Sequence, residues 1–521
     1  MSTRSKLILI IVGAFLFRAL LAVLYVRVPG IADPNFYYNS ALRLLDGHGF
    51  TIDYIWNYAL APASLIHPED NWMPLTTVLA ALPQIFYRTA DGVFNPASLL
   101  LFMLAGSLLP LISFWGARLL RLADGAALYA AAATAVIPEL VLNSVRTDTT
   151  VPTAFLTGVA VLAFVQGLRA GGFGWMALAG AASGLTWLTR NDGLLLLPGF
   201  LVFAVVAWWA GRRGWTPKPH LRWALLVPLV MLMVVSPWLA RNYAEFGTLG
   251  SAETRKMFFY TDNLDHYAFD GDFTLEALLA AQTPAELIGK RLFEFAAGVK
   301  LIIEGLGGFL AVAVPGGLVL LLARRDQPRL VAIALPLILL LGAFIAYPIL
   351  IPYKAQAGSL KKEILVLLPL LVPLGAYALQ EAVPNGRIRL GAMALSVALL
   401  AAGAFDLVRQ DGAFAQNYLR AMQTMAAEAR NLPDVNGDGE LIFMAQDQFM
   451  LRFVGLRSIM YPHEDLDTTL DVAERYGVDY LLFPADRPQL AAIQAGTATD
   501  PRLIPAGEVA GTNFSFLRVE P

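Results

Sequence analysis

Residues 7–38 read LILIIVGAFLFRALLAVLYVRVPGIADPNFYY, a long apolar stretch followed at once by a short polar sequence. The apolar part, residues 7–26, is long enough to span the hydrocarbon core of a bilayer as one helix. It is interrupted by Arg18 and is followed by no small-x-small cleavage site, so we expect a retained first membrane helix rather than a signal peptide. Asp33 then lies just outside the membrane.

The composition indicates that most of the chain does not face water. Of the 521 residues, 57% are hydrophobic and 15% are charged, whereas soluble domains average about 25% charged residues. The net charge of -2 and the lack of a basic tract give no sign of a nucleic-acid partner. The chain has no cysteine, which excludes disulfides and thiolate metal sites.

About eleven membrane spans are predicted from the apolar runs, near residues 7–26, 98–117, 125–142, 151–168, 175–189, 193–210, 223–240, 298–323, 330–351, 363–380 and 390–408. The N-terminus and every second connection between them together carry fourteen basic residues and three acids. The basic residues are Arg4, Lys6, Arg118, Arg121, Arg169, Arg212, Arg213, Lys218, Arg222, Arg324, Arg325, Arg329, Arg387 and Arg389. The positive-inside rule makes this face cytoplasmic, and an odd number of spans puts the C-terminus outside.

The expected fold is a mainly α-helical polytopic membrane protein with a small C-terminal α/β domain. Residues 1–410 form the predicted membrane domain, with long external loops near 27–97 and 241–297. From residue 411 the composition becomes that of a soluble domain, predicted to be external and to extend over 411–521. Its predicted strands are 441–445, 458–461 and 480–483, its helices are 468–476 and 488–494, and 513–519 alternates like an edge strand.

The polar sequence around Asp33 carries a recognisable pattern. Paired tyrosines, Tyr37 and Tyr38, follow the aspartate, and a Gly47-His48-Gly49-Phe50 turn comes after them. This arrangement resembles the first external loop of the GT-C superfamily, integral-membrane glycosyltransferases that use polyprenyl-phosphate sugars. The resemblance implies that Asp33 is the essential acid. Read from the residues alone, Asp33 is also compatible with a solvated loop acid or the N-cap of a helix over 35–45.

Three further strings resemble motifs of the same superfamily. Pro237-Trp238-Leu239-Ala240-Arg241-Asn242, followed by Phe246-Gly247, resembles the exit from a middle membrane helix in bacterial members. Arg146-Thr147-Asp148 and Arg190-Asn191-Asp192 resemble external turns between later spans. The alternatives are an interfacial anchor for Arg241 and local ion pairs that cap helices for the two Arg-x-Asp strings.

Two more clusters lie on the predicted external face. His67-Pro68-Glu69-Asp70 resembles the second element of the first loop, and its side chains either contact sugar hydroxyls, bind a divalent cation or form a capped turn. Lys354, Lys361 and Lys362 precede a Leu-Pro span containing Pro369, where members of the superfamily carry a cation. Lysine there would stabilise the charge that grows on a phosphate leaving group.

The resemblance covers roughly residues 7–380 and is closest to bacterial relatives of the protein O-mannosyltransferases and the lipid A aminoarabinose transferases. It implies a glycosyltransferase of the plasma membrane that moves a sugar from a polyprenyl phosphate to a hydroxyl acceptor at the outer face, by a single inverting displacement. Asp33 is the expected general base. The expected phosphate contacts are Arg146, Arg190, Arg241, Lys354, Lys361 and Lys362, and the expected sugar or acceptor contacts are Tyr37, Tyr38, His67, Glu69, Asp70, Asp148 and Asp192.

Two other functions are compatible with the same features. A transporter or flippase of a lipid-linked precursor would share the cations but need no base, although the long external loops and the absence of an internal repeat favour an enzyme. A non-catalytic scaffold of the cell envelope is the third option. It stays open because Asp33 is followed by Pro34 and Asn35, whereas relatives often carry a second acid there. No metal ligand is assigned, and a divalent cation is left open as a cofactor.

Overall fold

The computed structural model describes residues 1–69, 71–89, 92–355, 359–437 and 439–520. The first half of the chain folds into ten α-helices within these ranges. They are α1 (Thr3–Tyr25), α2 (Asp33–Leu45), α3 (Pro74–Ala81), α4 (Leu100–Leu119), α5 (Asp124–Ala135), α6 (Pro138–Ser144), α7 (Thr150–Ala170), α8 (Phe173–Thr189), α9 (Leu196–Arg212) and α10 (Leu226–Phe246).

The second half adds further helices and most of the strands. The helices are α11 (Ala252–Lys256), α12 (Leu275–Ala281), α13 (Pro284–Leu306), α14 (Leu310–Ala323), α15 (Gln327–Leu350), α16 (Leu360–Ala382), α17 (Gly386–Ala429), α18 (Gln448–Phe453), α19 (Leu466–Arg475) and α20 (Ala491–Gln494). The strands among the described residues are β1 (Thr51–Ile52), β2 (His67–Pro68), β3 (Ile442–Ala445), β4 (Arg457–Met460), β5 (Tyr480–Phe483), β6 (Leu503–Glu508) and β7 (Ser515–Val519).

Among the described residues, eight helices are long and apolar enough to cross a membrane, or up to ten if each of two bent helix pairs is one span. The pair α5 and α6 bends by 54°, and the pair α13 and α14 by 103°. The remaining predicted span, 175–189, corresponds to α8, which has 17 residues. The prediction of a mainly helical polytopic membrane protein is confirmed.

Helix α16 forms the centre of the bundle. In its most apolar stretch of 18 residues, 94% of the residues are buried. The helix packs against α4, α5, α7, α13, α14 and α15. Its contact with α14 is very close, because a Cβ atom added at Gly317 would lie 2.1 Å from the carbonyl oxygen of Leu374. Small residues allow such close approach of membrane helices. The first turn of α16 carries Lys361, Lys362 and Glu363, so a central helix fixes their position.

The C-terminal domain contains a five-stranded sheet in the order β4-β3-β5-β7-β6. Strands β4, β3 and β5 are parallel, while β7 is antiparallel to both β5 and β6. The strands predicted at 441–445, 458–461 and 480–483 are confirmed. The prediction of an edge strand at 513–519 is wrong, since β7 lies between β5 and the edge strand β6. Strand β6 was missed because Pro505 and Gly507 interrupt its alternation and mark a bulge.

Helix α17 connects the two parts of the chain as one continuous helix of 44 residues. It runs through the predicted boundary at 410/411 and ends at Ala429, before the first strand of the sheet at Ile442. The predicted last span and the start of the predicted external domain therefore lie on the same helix.

The C-terminal domain docks on the first long loop. Ile55 extends the sheet, because its backbone accepts a hydrogen bond from Met460 at 2.7 Å and donates one to Ser458 at 3.2 Å. Asp53 lies between Arg43 of the loop, at 3.0 Å, and Arg452 of the domain, at 2.8 Å. These contacts hold the sheet against the segment that follows Asp33.

Candidate active site

Asp33 is the first residue of α2 rather than part of an irregular loop. Ala32 before it adopts the positive φ of 60°, and Pro34 occupies the start of the helix, where a missing backbone N–H costs nothing. A carboxylate in the first turn also interacts favourably with the helix dipole. The local sequence thus begins the helix at Asp33 and fixes this side chain at its end.

Lys362 brings two distant carboxylates together. Its Nζ lies 2.8 Å from Asp33 Oδ2 and 3.2 Å from Asp148 Oδ2. The side chain of Asp148 is 5% exposed, whereas those of Asp33 and Lys362 are 33% and 30% exposed. The three groups therefore form an ion cluster in which Asp148 is at the buried end and Asp33 at the accessible end.

Asp148 is held by the turn between α6 and α7. Its Oδ1 accepts hydrogen bonds from the backbone N–H of Thr150 at 2.7 Å and from the Thr150 hydroxyl at 2.5 Å. Burial alone would raise the pKa of this carboxyl, but the charge of Lys362 and the bonds from Thr150 outweigh it and lower the pKa to about 2. Asp148 is therefore a fixed negative charge that anchors Lys362.

A second buried pair lies next to this cluster. Arg190 Nε donates to the two carboxylate oxygens of Asp192 at 3.0 and 3.1 Å, and the hydroxyl of Tyr347 donates to Asp192 Oδ2 at 2.9 Å. The carboxyl of Glu363 lies against that of Asp192, and both line a cavity of about 20 Å³ between α7, α8, α15 and α16, roughly the room that one water molecule needs. The local ion pair expected for Arg190-Asn191-Asp192 is present, and it is joined to the residue that follows Lys362.

The two predicted tyrosines point in different directions. Tyr37 is 1% exposed, and the pKa of its hydroxyl is raised by burial and then by the charges of Asp33 and Asp148, so Tyr37 lies near the two carboxylates of the cluster. Tyr38 packs against Phe94, and its hydroxyl accepts a hydrogen bond from the backbone N–H of Asn95 at 2.9 Å. The structure does not bring Tyr38 to the cluster.

The His67-to-Asp70 segment and Arg241 meet at the rim of the first loop. His67 interacts with the carbonyl oxygen of Tyr54 at 3.3 Å, and burial lowers the pKa of its imidazole. Glu69 Oε1 accepts from the backbone N–H of Trp72 at 2.7 Å, as in a capped turn. Arg241 donates to the carbonyl oxygens of Glu69 at 2.5 Å and of Phe50 at 3.0 Å. Asp70 lies outside the described residues.

The remaining predicted cations differ in their partners. Arg146 forms an ion pair with Asp411 of α17. Lys361 Nζ lies 3.3 Å from Glu139, and its side chain is 47% exposed. Lys354 lies over the ring of Phe293 at 5.1 Å. None of the described carboxylates forms a salt bridge with Lys354.

Several residues of the site were not found from the sequence. Glu139, Tyr347 and Glu363 each contact a predicted site residue. In the second long loop, burial raises the pKa of the Tyr267 hydroxyl, and the charges of Glu253 and Asp33 raise it further. An acid directly after Lys361-Lys362 at the start of a span was a usable signal for Glu363, because buried charges need compensation. The other three carried no local signal.

The described residues contain no group of three or more His, Asp or Glu side chains placed to hold a metal ion. The two carboxylates that come together, Asp33 and Asp148, share the ammonium group of Lys362 instead.

No family model matches the sequence, and no curated protein matches it. Solved structures do match over most of the chain. ArnT from Cupriavidus metallidurans bound to undecaprenyl phosphate superposes with a TM-score of 0.62 at 17% identity, over 99% of this chain and 98% of that chain. The archaeal oligosaccharyltransferase AglB from Archaeoglobus fulgidus, in complex with an inhibitory peptide and a dolichol-phosphate, has a TM-score of 0.52 at 13% identity, over 91% of this chain and 69% of that chain.

A third structure, the Archaeoglobus fulgidus oligosaccharyltransferase in complex with Zn and sulfate, has a TM-score of 0.55 at 16% identity and covers 91% of this chain and 67% of that chain. The fold is therefore the one shared by ArnT and the archaeal oligosaccharyltransferase, and the resemblance inferred from the motifs is confirmed at the level of the fold. With ArnT the similarity extends over nearly the whole chain, including the C-terminal domain. The chain is a multi-pass membrane protein.

Proposed function

We propose that this protein is a glycosyltransferase that moves a sugar from a polyprenyl-phosphate donor to a hydroxyl group of an acceptor at the outer face of the membrane. The proposal rests on one observation, the ion cluster of Asp33, Lys362 and Asp148. Of its two carboxylates, only that of Asp33, at the start of the first loop, is accessible. The matched structures with undecaprenyl phosphate and dolichol-phosphate support a polyprenyl-phosphate ligand for this fold.

Asp33 is the general base of the proposed reaction. Lys362 binds its Oδ2, while Oδ1 has no hydrogen bond to any described residue. The side chain is one third exposed, so an acceptor hydroxyl can reach the open oxygen. Asp148 has both oxygens occupied, by Thr150 and Lys362, and is a positioning residue. The division of roles follows from exposure and bonding rather than from the position of the acids in the sequence.

The proposed transfer moves one proton and releases one leaving group. The acceptor oxygen attacks the anomeric carbon and gives its proton to Asp33. The bond between the anomeric carbon and the phosphate oxygen breaks, and the polyprenyl phosphate leaves with the electron pair. Attack from the face opposite the phosphate inverts the configuration at that carbon.

Cations near the cluster would hold the phosphate as its charge grows. Lys354 is the first candidate, since it has no described carboxylate partner, and Lys361 is the second, since its pair with Glu139 is long and half-exposed. Arg146 and Arg190 are bound to Asp411 and Asp192 and act through position. We assign Arg241 to the rim of the donor site.

The proposed orientation puts the cluster outside the cell and the N-terminus in the cytoplasm. The arginines of the predicted cytoplasmic face lie at the opposite ends of the helices, with Asp148 just before α7 and Arg169 in its last turn. The C-terminal domain, docked on the first loop, is then external. We propose that it covers the acceptor side of the cluster.

The test is transfer by the Asp33→Asn variant in membranes given labelled polyprenyl-phosphate sugar. Loss of a general base lowers the rate by about a hundredfold or more, while binding of the donor is retained. Asp46→Asn is the matched control, since Asp46 pairs with Arg88 at the surface, away from the cluster. Full transfer by Asp33→Asn removes Asp33 from the mechanism. Movement of the donor across vesicles without transfer by the wild-type protein overturns the proposal in favour of a transporter.

A further inference from the structure

A second charged cavity lies at the other end of the helix bundle. It has a volume of about 430 Å³ and is lined by four arginines, Arg118, Arg121, Arg169 and Arg329, together with apolar side chains of α7, α9 and α15. Among the described residues that line it, none is acidic. We call it the arginine cavity.

Two of the four arginines are neutralised by acids of neighbouring turns. Arg118 lies 2.5 Å from Asp124, and Arg329 lies 2.8 Å from Asp326 while also donating to the carbonyl oxygen of Leu120. These two pairs have a structural role at the ends of α4 and α15. The net positive charge of the cavity therefore comes from the other two arginines, Arg121 and Arg169.

Arg121 and Arg169 have no carboxylate partner among the described residues, and their like charges repel each other. Like charges that line one cavity repel, so the arrangement is costly unless an anion lies between them. Arg121 also has a φ of 55°, in the left-handed region that residues other than glycine rarely adopt. Backbone strain of this kind is frequently found at ligand sites.

The surroundings of the cavity are those of the membrane interface. Trp215 lines it, and a neighbouring opening that shares Pro219 is lined by Trp208, whose ring lies 4.5 Å from the guanidinium carbon of Arg212. Tryptophan with arginine is typical of the headgroup depth of a bilayer. Basic pockets between membrane helices at this depth bind lipid headgroups.

We propose that the arginine cavity binds the phosphate headgroup of an anionic membrane lipid, with Arg121 and Arg169 as its contacts. The apolar side chains of α7, α9 and α15 that line the cavity would accommodate the start of the acyl chains. The site is separate from the ion cluster of Asp33, because the 21 residues of α7 lie between Asp148 and Arg169, a distance of about 30 Å along the helix. It does not depend on the proposed transferase function.

The experiment measures binding of phosphatidylglycerol to the purified full-length protein in mixed micelles by native mass spectrometry. The site variants are Arg121→Gln and Arg169→Gln. Arg387→Gln is the matched control, since Arg387 is an exposed arginine of α17 that does not line the cavity. Arg169→Lys keeps the charge, and phosphatidylcholine and inorganic phosphate are the alternative probes.

Each site variant is expected to raise the dissociation constant for phosphatidylglycerol about five- to tenfold. The control and Arg169→Lys stay close to the wild type, and phosphatidylcholine and inorganic phosphate bind much more weakly. An equal loss in Arg387→Gln would show that only the general charge of this face attracts the lipid. Tight binding of inorganic phosphate alone would replace the lipid by a soluble anion. Unchanged binding in both site variants overturns the assignment.

Discussion

Lys362 and Asp33 are 329 positions apart in the sequence, and their Nζ and Oδ2 atoms lie 2.8 Å apart in the structure. The contact joins the first turn of the central helix α16 to the first residue of α2. The end of a buried helix is a rigid support, so the lysine fixes the orientation of the carboxylate. The following expectations derive from this contact and from those around it.

Lys362→Met is expected to lower the stability of the protein by about 3 kcal/mol, because Asp148 is left as a buried, uncompensated charge. Lys361→Met is the matched control one residue earlier. Its half-exposed pair with Glu139 contributes less than about 1 kcal/mol. Denaturation of both variants in mixed micelles measures the difference, and equal losses would contradict the central role of Lys362.

The pH dependence of stability reports on Asp148. Its pKa in the folded protein, about 2, is below the ordinary value of 3.8. A carboxyl with a depressed pKa stabilises the folded state at pH values above its ordinary pKa. This stabilisation is lost as the pH falls toward and through the pKa of the folded protein. The wild type is therefore expected to lose about 2 kcal/mol relative to Asp148→Asn between about pH 4 and pH 2. A stability difference that stays constant over this range would contradict the ion cluster.

The sequence alone predicted the helices and strands whose formation depends on local composition. Apolar runs near 20 residues predicted the membrane helices, since no other structure satisfies the backbone in lipid. The short apolar runs of the C-terminal domain likewise predicted β3, β4 and β5. Strand β6 was missed because a proline and a glycine disrupt its pattern, and the sheet order that puts β7 inside depends on packing.

The site was predictable only in part, for a physical reason. Asp33, Asp148, Arg190 and Lys362 were named from the motif resemblance, and Arg190 and Lys362 also because cations on the predicted external face break the positive-inside trend. Which charge pairs with which was not predictable, because the partners come from turns far apart in the chain. The second acid missing beside Asp33 is an example: Asp148 supplies a second carboxylate through Lys362.

Arg190→Gln is expected to be among the most destabilising single substitutions at the site. It removes the compensating charge from Asp192, against which Glu363 also lies. The expected loss is about 3–5 kcal/mol. Arg190→Lys restores the charge but not the two-pronged hydrogen bonding, so it should recover part of the loss. Tyr347→Phe, which removes one hydrogen bond from Asp192, should cost only about 1 kcal/mol.

A double-mutant cycle tests the role of Arg146. Its pair with Asp411 links the turn before Asp148 to α17, and both side chains are about one quarter exposed. Arg146→Gln and Asp411→Asn should therefore show a coupling of about 1 kcal/mol in stability. If Arg146 acts through position, both single variants reduce transfer by the same factor. A rise in the KM for the donor in Arg146→Gln alone would assign Arg146 to the phosphate.

Docking of the C-terminal domain depends on Asp53, the carboxylate between Arg43 and Arg452. Asp53→Asn leaves two arginines close together without their anion, so the domain is expected to detach more often from the first loop. Limited proteolysis between Ala429 and Ile442, the segment between α17 and the sheet, measures this detachment as faster cleavage. Asp467→Asn is the control, because Asp467 forms an exposed pair with Arg502 within the same domain. Equal cleavage rates in the two variants would show that Asp53 does not hold the domain. If the domain covers the acceptor side of the cluster, the Asp53→Asn variant also raises the KM for the acceptor and leaves the KM for the donor unchanged.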